Sequence, residues 1–295
     1  MATLRIGIIS RNARLVSTHR LILAARRRGH MVRLIDPMDT HFQISGSGGI
    51  LSQGEKLPRI DGIIPRIGVQ SAGYVLSLIK QMETKGIVCL NTSQSMATAR
   101  NKLHTLQYLD HAKIPIPRTT YGSFTVPSAS LLASVGGAPV IIKTLDGSQG
   151  VGVMLAQTPS QAESIMDVLK QSHIEFILQE YVAESKGQDV RCFVIGDRVV
   201  AAMSRQGNDG EFRSNLHRGG TASGHLLSDT DREMAIRATK TVGLAVAGVD
   251  MIPSDTGMKV IEVNCSPGLE GIENTLNIDI AIQIIDHLES LIRAR

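Results

Sequence analysis

Along the first third of the chain, short apolar runs alternate with helical patterns. Residues 3–9 (Thr-Leu-Arg-Ile-Gly-Ile-Ile) and 31–35 predict strands, with a helix over 17–28 between them. Apolar runs at 62–67 and 87–90 flank a helical pattern over 72–85. Strand and helix in alternation predict an open α/β unit with a parallel sheet. A helix over 95–111 follows, and Pro115 and Pro117 end it. A boundary between units is expected near 91–97.

From residue 118 the rhythm changes. Strand-like runs at 139–145, 151–156 and 175–182 come in closer succession, with a helix over 160–172 before the last. Residues 190–195 and 198–203 predict a hairpin across Gly196-Asp197. A helix over 229–242 leads to a second hairpin, and an amphipathic helix over 279–292 closes the chain. The second part is therefore α+β with antiparallel hairpins, and no internal repeat is visible.

The second hairpin carries the densest chemistry. Val249-Asp250-Met251 and Val260-Ile261-Glu262-Val263-Asn264 flank the turn cluster Ser254-Asp255-Thr256-Gly257. Side chains alternate along a strand, so Glu262 and Asn264 share a face, and reflection through the turn sets Asp250 roughly opposite Glu262. Asp, Glu and Asn oxygens together suit a hard cation such as Mg²⁺. Taken alone, the same pattern also fits acids on the solvent side of a two-faced sheet.

Composition narrows the choices. The 295 residues are 42 % hydrophobic, enough for two or three units, but only 3 % are aromatic and Trp is absent. The core must be aliphatic, and an aromatic platform for single-stranded nucleic acid is excluded. A net charge of +4 permits an anionic substrate. Arg26-Arg27-Arg28 falls at the end of a predicted helix, just before Gly29, where cations favour the helix dipole. The three cysteines, Cys89, Cys192 and Cys265, form no CxxC pair and read as reduced thiols of a cytoplasmic protein. A signal peptide and a membrane span are not expected, since no apolar run reaches the roughly 18 residues a span requires.

Two familiar phosphate loops are missing. No Gly precedes a Lys, so there is no P-loop, and Ser10-Arg11-Asn12 replaces the dinucleotide glycine fingerprint after the first strand. The glycine-rich element is Gly147-Ser148-Gln149-Gly150-Val151-Gly152, between two strands. It reads either as a plain hairpin loop or as a backbone cradle for phosphate. Lys143, inside the apolar strand that leads into it, favours the cradle, because such a Lys is rarely left unpaired. Gln179-Glu180-Tyr181-Val182 ends another strand, as a plain exit or as backbone that meets an adenine edge. Asp189 and Arg191 share a strand face, as an ion pair or as contacts to a ribose and an anion. Arg205 and the run Arg213-Ser214-Asn215-Leu216-His217-Arg218-Gly219-Gly220 are dense in donors for an anion. Lys102 opens the second unit and is either a phosphate contact or a solvated helix turn. Arg66 ends a strand and serves either a substrate carboxylate or its own turn.

In this order, Lys143, the glycine loop, Glu180-Tyr181 and Asp250/Glu262/Asn264 resemble the ATP-grasp superfamily, and within it the RimK-type L-glutamate ligases. Phe212 to Gly220, Glu262 to Glu273, Pro65-Arg66-Ile67-Gly68 and Ala99-Arg100-Asn101-Lys102-Leu103 carry the closer resemblance. It implies an α/β and α+β ATP-grasp fold: an N-terminal pre-ATP-grasp unit over 1–97, a central lobe with the glycine loop over 98–182, and a C-terminal lobe with the metal site over 183–295. It implies that Lys102 and Lys143 contact ATP phosphates and that Gly147, Ser148, Gln149 and Gly150 close over them. Glu180 and Tyr181 would bracket the adenine and Asp189 would hold the ribose. Arg213, Ser214 and Asn215 would line the phosphates. Asp250, Glu262 and Asn264 would hold two Mg²⁺ or Mn²⁺ ions, with Glu262 bridging. Arg191, Arg205, Arg213 and Arg218 are the catalytic candidates.

The implied reaction joins L-glutamate to the C-terminal glutamate of the sixth small-subunit ribosomal protein through an acyl phosphate, releasing ADP and phosphate, with poly-α-glutamate as a further product. The implied partners are that tail and free L-glutamate, with no direct nucleic acid and no membrane, and the family suggests a homotetramer. A ligase for another amino acid, carrier or coenzyme acceptor competes with this expectation. A non-catalytic nucleotide-binding module on the ribosome is disfavoured because the metal set and Lys143 are intact, and a dinucleotide oxidoreductase because its glycine fingerprint is missing.

Overall fold

The computed structural model describes residues 2–45, 49–66, 68, 72–145, 151–208, 212, 214 and 219–295. In the first unit, β1 (Arg5–Ile9), α1 (Val16–Arg27) and β2 (Met31–Ile35) are followed by three short strands, β3 (Thr40–Phe42), β4 (Ile50–Ser52) and β5 (Glu55–Lys56). Next come β6 (Gly62–Pro65), α2 (Ala72–Thr84) and β7 (Val88–Cys89). Strands β2-β1-β6-β7 make the expected parallel sheet, with β1 inside it. Helix α1 forms because Thr18, Leu21, Ile22, Ala24 and Ala25 repeat at helical spacing and are all buried. The small antiparallel β3-β4-β5 sheet was not foreseen; its strands are too short to carry a period.

The helix expected over 95–111 is two helices, α3 (Ser93–Arg100) and α4 (Lys102–His111). Asn101 between them has an extended backbone, and its side chain accepts a hydrogen bond from His104 N. An Asn that caps the following turn offers the chain an alternative to continuing the preceding one.

The central lobe runs through β8 (Thr119–Thr120), α5 (Ser128–Ser134), β9 (Val140–Thr144), β10 (Val153–Ala156), α6 (Pro159–Gln171) and β11 (Phe176–Glu180), with sheet order β10-β9-β11-β8. Strands β9 and β10 form the expected hairpin, with Lys143 opposite Val153. The last lobe contains β12 (Gln188–Ile195), β13 (Arg198–Gln206), β14 (Thr221–Gly224), α7 (Asp229–Val242), β15 (Val246–Ser254), β16 (Gly257–Asn264), α8 (Glu270–Leu276) and α9 (Ile280–Arg293). Its sheet order is β14-β13-β12-β15-β16, antiparallel throughout. Helix α9 returns to the first unit, where its buried Ile284, Ile285 and Leu288 share one core with Leu21 and Ile22 of α1. Among the described residues, no helix is long and apolar enough to cross a membrane.

One buried side chain ties the first unit to the last lobe. The Asn91 amide donates to the carbonyls of Val246 (2.8 Å) and Cys265 (3.0 Å), and its oxygen accepts from Ala245 N (2.9 Å) and Val246 N (3.0 Å). These bonds pin the start of β15 and the end of β16. Asn91→Ala leaves buried backbone groups unpaired and is expected to lower unfolding stability by about 2 kcal/mol or more. Urea unfolding checks this; a midpoint equal to that of the unmodified protein contradicts it.

Candidate active site

The register of the five-stranded sheet collects the charged residues on one face. Asp189 on β12 lies opposite Arg205 on β13, and Arg191, two residues along β12, lies opposite Asp250 on β15. Asp250 in turn lies opposite Glu262 on β16, because a β-bulge shifts the register by one residue from plain reflection through the turn, and Asn264 follows two residues later. Because side chains on one face recur every second residue, this register converts scattered sequence positions into one polar stripe.

Within the stripe the charges alternate. Arg191 grips Asp250 through Nε (2.7 Å) and Nη2 (2.6 Å). Arg205 grips Asp189 through Nε (2.7 Å) and also reaches Asp250 (3.0 Å). Two-pronged guanidinium contacts fix the carboxylates in both position and plane. Burial alone would raise the Asp250 carboxyl, but Arg191 and Arg205 outweigh it and hold it well below the usual range. Ser214, itself buried, adds a hydrogen bond to Asp189. Asp189 thus orients Arg205.

Glu262 behaves differently. It is open to solvent, yet protein surrounds the cleft it faces, and that desolvation together with Asp250 pushes its carboxyl up. Among the described residues it makes no hydrogen bond or ion pair. Asn264 Oδ1 accepts from Ser266 N (2.8 Å), which fixes the amide and leaves its second lone pair for another partner. Two carboxylates and an amide oxygen fit Mg²⁺, which takes one or two carboxylates and completes its shell with water and substrate phosphate. No group of three or more His, Cys, Asp and Glu side chains that could hold a metal ion occurs among the described residues, so the amide of Asn264 is needed to complete the set.

The central lobe supplies the cations. Lys143 Nζ donates to Gln179 Oε1 (2.6 Å). Burial pushes the Lys143 ammonium down to about 8, against the attraction of Glu262. Lys102 Nζ donates to the carbonyls of Thr144 (3.1 Å) and Leu145 (2.9 Å), the last residues before the glycine loop. Lys102 and Lys143 both act on Glu262 electrostatically, so the two lobes face each other with opposite charge. Gly147, Ser148, Gln149, Gly150, Arg213, Asn215 and Arg218 lie outside the described residues. Gln179 was missed in the sequence, although it lies two residues from Ile177, which pairs with Lys143, and so shares its face.

Glu180 ends β11. Its carboxylate accepts from Arg118 Nε (2.7 Å) and Lys259 Nζ (2.5 Å), so it is the backbone at this strand end, with Tyr181, that remains for a ligand. Lys259 reaches Glu180 because of a β-bulge. Two steps on β15, from Ile252 to Asp250, match three steps on β16, from Lys259 to Glu262. The extra residue brings Lys259 onto the face of Glu262, which strict alternation would forbid.

A parallel-sheet unit followed by two sheets that bring paired lysines to a cluster of oxygen side chains is the build of an ATP-grasp ligase, an enzyme that forms a peptide-type bond between an acid and an amine. The chain belongs to the RimK-like ATP-grasp family: the RimK-like ATP-grasp domain matches residues 99–288 and the RimK pre-ATP-grasp domain residues 4–96. A Cellvibrio japonicus protein named "Probable alpha-L-glutamate ligase" is 47 % identical over 287 residues, covering 97 % of this chain and 95 % of its own. "Probable alpha-L-glutamate ligase 1" of Shewanella frigidimarina is 46 % identical over 292 residues, 99 % and 97 % of the two chains. The fold is shared with the ATP-grasp ligase PsnB, complexed with a phosphomimetic variant of a minimal precursor, Mg and ADP (TM-score 0.78, 20 % identity, 98 % and 99 % covered). It is shared also with D-alanine–D-alanine ligase of Bacillus anthracis complexed with ATP (TM-score 0.70, 16 % identity, 99 % and 98 % covered).

The grip on Glu180 has a pH signature. Burial would raise its carboxyl, but Lys259 and Arg118 bring it down from 4.5 to about 2. A depressed folded value means stability that is present above the ordinary carboxyl range and lost as pH falls toward about 2. Glu180→Gln is expected to unfold with a shallower pH dependence across that acid window and to be less stable above it. Urea midpoints measured from neutral to acid pH check this, and parallel profiles for the two proteins contradict it.

Proposed function

We propose that the protein is an ATP-dependent α-L-glutamate ligase that activates a C-terminal carboxylate of a peptide or protein as an acyl phosphate and couples it to the amine of L-glutamate. The observation that carries this reading is the opposition, across one cleft, of Lys102 and Lys143 to Asp250, Glu262 and Asn264. The near-half identity to proteins named as alpha-L-glutamate ligases supports the choice of amino acid. The C-terminal tail of the sixth small-subunit ribosomal protein is the acceptor we propose, with poly-α-glutamate as a further product.

In this reading Lys143 and Lys102 hold the phosphates, with the glycine loop 147–150 over them. The strand end at Glu180 and Tyr181 takes the base. Asp250, Glu262 and Asn264 would hold two Mg²⁺ or Mn²⁺ ions, with Glu262 shared between them. Bound there, such ions neutralise charge on the phosphates and on the developing transition state. Arg191 and Arg205, fixed by Asp250 and Asp189, keep the metal carboxylates ionised and in place. Arg213 and Arg218, with Ser214 and Asn215, belong to the phosphate side.

The chemistry balances without a protein nucleophile. The acceptor carboxylate oxygen attacks the γ-phosphorus, and the bond to the β,γ-bridging oxygen breaks to give ADP. The glutamate amine then attacks the acyl carbon, phosphate leaves with the acyl oxygen, and the amine proton passes to solvent or phosphate. Positioning and charge neutralisation supply the catalysis. The acyl phosphate must be shielded from water, which a closed cleft provides.

The test incubates the protein with ATP, Mg²⁺, L-glutamate and the ribosomal tail peptide, and resolves the products by mass spectrometry. Successive glutamyl additions with matching ADP release are expected; ATP turnover without an amide product contradicts the reading. Glu262→Gln is expected to lower ligation by about a hundredfold or more while keeping its melting temperature, because a metal carboxylate acts on the chemical step and is not packed in the core. A ligation rate near that of the unmodified protein rules out the metal assignment.

A further inference from the structure

Arg66 stands at the end of β6, the neighbour of β1 in the parallel sheet, and its backbone N–H bonds Ile9 O (2.9 Å). The chain passes from β1 to β2 on one side and later to β6 on the other, so β1 and β6 flank the point where the strand order reverses. In open α/β sheets the crevice beyond the carboxyl ends of the strands at such a point is where ligands bind.

The Arg66 guanidinium is enclosed and makes one hydrogen bond, from Nη1 to Pro267 O (2.9 Å). Burial pushes it down to about 10. Among the described residues no carboxylate pairs with it. The other enclosed arginines of the site among the described residues have an acid: Arg191 has Asp250, and Arg205 has Asp189 and Asp250. A desolvated guanidinium with a single neutral acceptor leaves most of its donors unused, and its shape matches a carboxylate. Arg100 is a second cation near the same spot: with Arg66 it acts on Cys265, and it too has no acid partner among the described residues.

This position adjoins the metal site. Pro267 packs against Gly248, where an added Cβ would come within 2.9 Å of the Pro267 ring and 3.9 Å of Arg191 Nε. Gly248 pairs with Asn264 in the sheet. The loop that Arg66 holds therefore begins at the last metal residue. Leu269, two residues further on, donates its N–H to Ser17 Oγ (3.0 Å) in the first turn of α1.

We infer that Arg66, with Arg100 beside it, binds a substrate carboxylate that is not itself activated, belonging to either the amino acid or the acidic peptide tail. The inference rests on the ligase reading for the identity of its ligands, and gives the first unit a part in substrate recognition. A carboxylate anchored here sits beside the cleft that holds the phosphates, oriented by a group outside both grasping lobes.

Calorimetry of the full chain with Mg²⁺ and a non-hydrolysable ATP analogue tests it, using L-glutamate and a peptide ending in Glu-Glu as separate probes, each beside an amide that lacks the carboxylates not activated in the reaction (L-glutaminamide and the same peptide ending in Gln-Gln). Arg66→Gln is expected to weaken one acid probe by about tenfold or more, with the other probe and the nucleotide within about twofold, and Arg66→Lys to restore part of the loss. The probe affected identifies the source of the carboxylate, and its amide is expected to bind both proteins equally weakly. Unchanged affinity for both acids overturns the inference, as does the unmodified protein binding neither probe. Parallel loss of both acids and nucleotide with a lower melting temperature also overturns it, since Arg66 would then only brace the Pro267 loop. Product analysis is scored separately: Arg66-dependent acid binding with no glutamyl product would sink the ligase reading alone.

Discussion

The site depends on buried charge being balanced across adjacent strands. Asp189, Arg205, Asp250 and Arg191 lie on one face of the last sheet and are gripped pairwise at hydrogen-bond distance. None of these groups would tolerate enclosure alone, because an unpaired buried charge is strongly destabilising. Together they form a rigid ionic lattice, since a two-pronged guanidinium leaves a carboxylate little freedom to rotate. The carboxylate left over is Glu262, the one that faces the cleft. A fixed negative edge results, facing Lys102 and Lys143 of the central lobe.

The same lattice explains how two lobes with separate cores are set against each other. The central lobe has its own apolar cluster around Leu132, Ile142, Met166 and Leu178, distinct from the clusters that run through the first unit and the last lobe. What joins it to the last lobe near the site is polar: Lys259 on Glu180, and the mutual field of Lys143 and Glu262. Polar contacts of this kind can open and reform at modest free-energy difference, whereas a fused apolar core could not. A grasping enzyme needs this division, with firm lobes and a yielding seam.

Much of this was legible from the chain. The hairpin bearing Asp250 and Glu262 was legible because the turn cluster set its two strands against each other, but plain reflection pairs Asp250 with Ile261, and the bulge supplies the one-residue shift that brings Glu262 opposite. Asp189 and Arg191 could be assigned to one face because side chains alternate along a strand, but their partners could not, because pairing across strands is a tertiary fact. Lys259 was invisible because the bulge breaks alternation. The division of the helix at Asn101 was hidden because helical spacing continues through the cap. The cations that grip Asp189 and the Glu180 side chain, Arg205 and Lys259, come from other strands and were not visible in the chain either. Arg66 was noticed as a strand end, yet its enclosure and its want of an acid partner among the described residues emerge only once β6 lies beside β1 and the Pro267 loop folds over it.

The most direct measurement is a crystal structure of the protein with ADP and Mg²⁺. The expected density places phosphate oxygens against Lys143 and Lys102, and metal against Glu262, Asn264 and Asp250, while Arg191 and Arg205 keep their grip on Asp250. Nucleotide bound elsewhere, or metal that leaves Glu262 without contact, would contradict the division of the cleft into a phosphate-holding lobe and a metal-holding lobe.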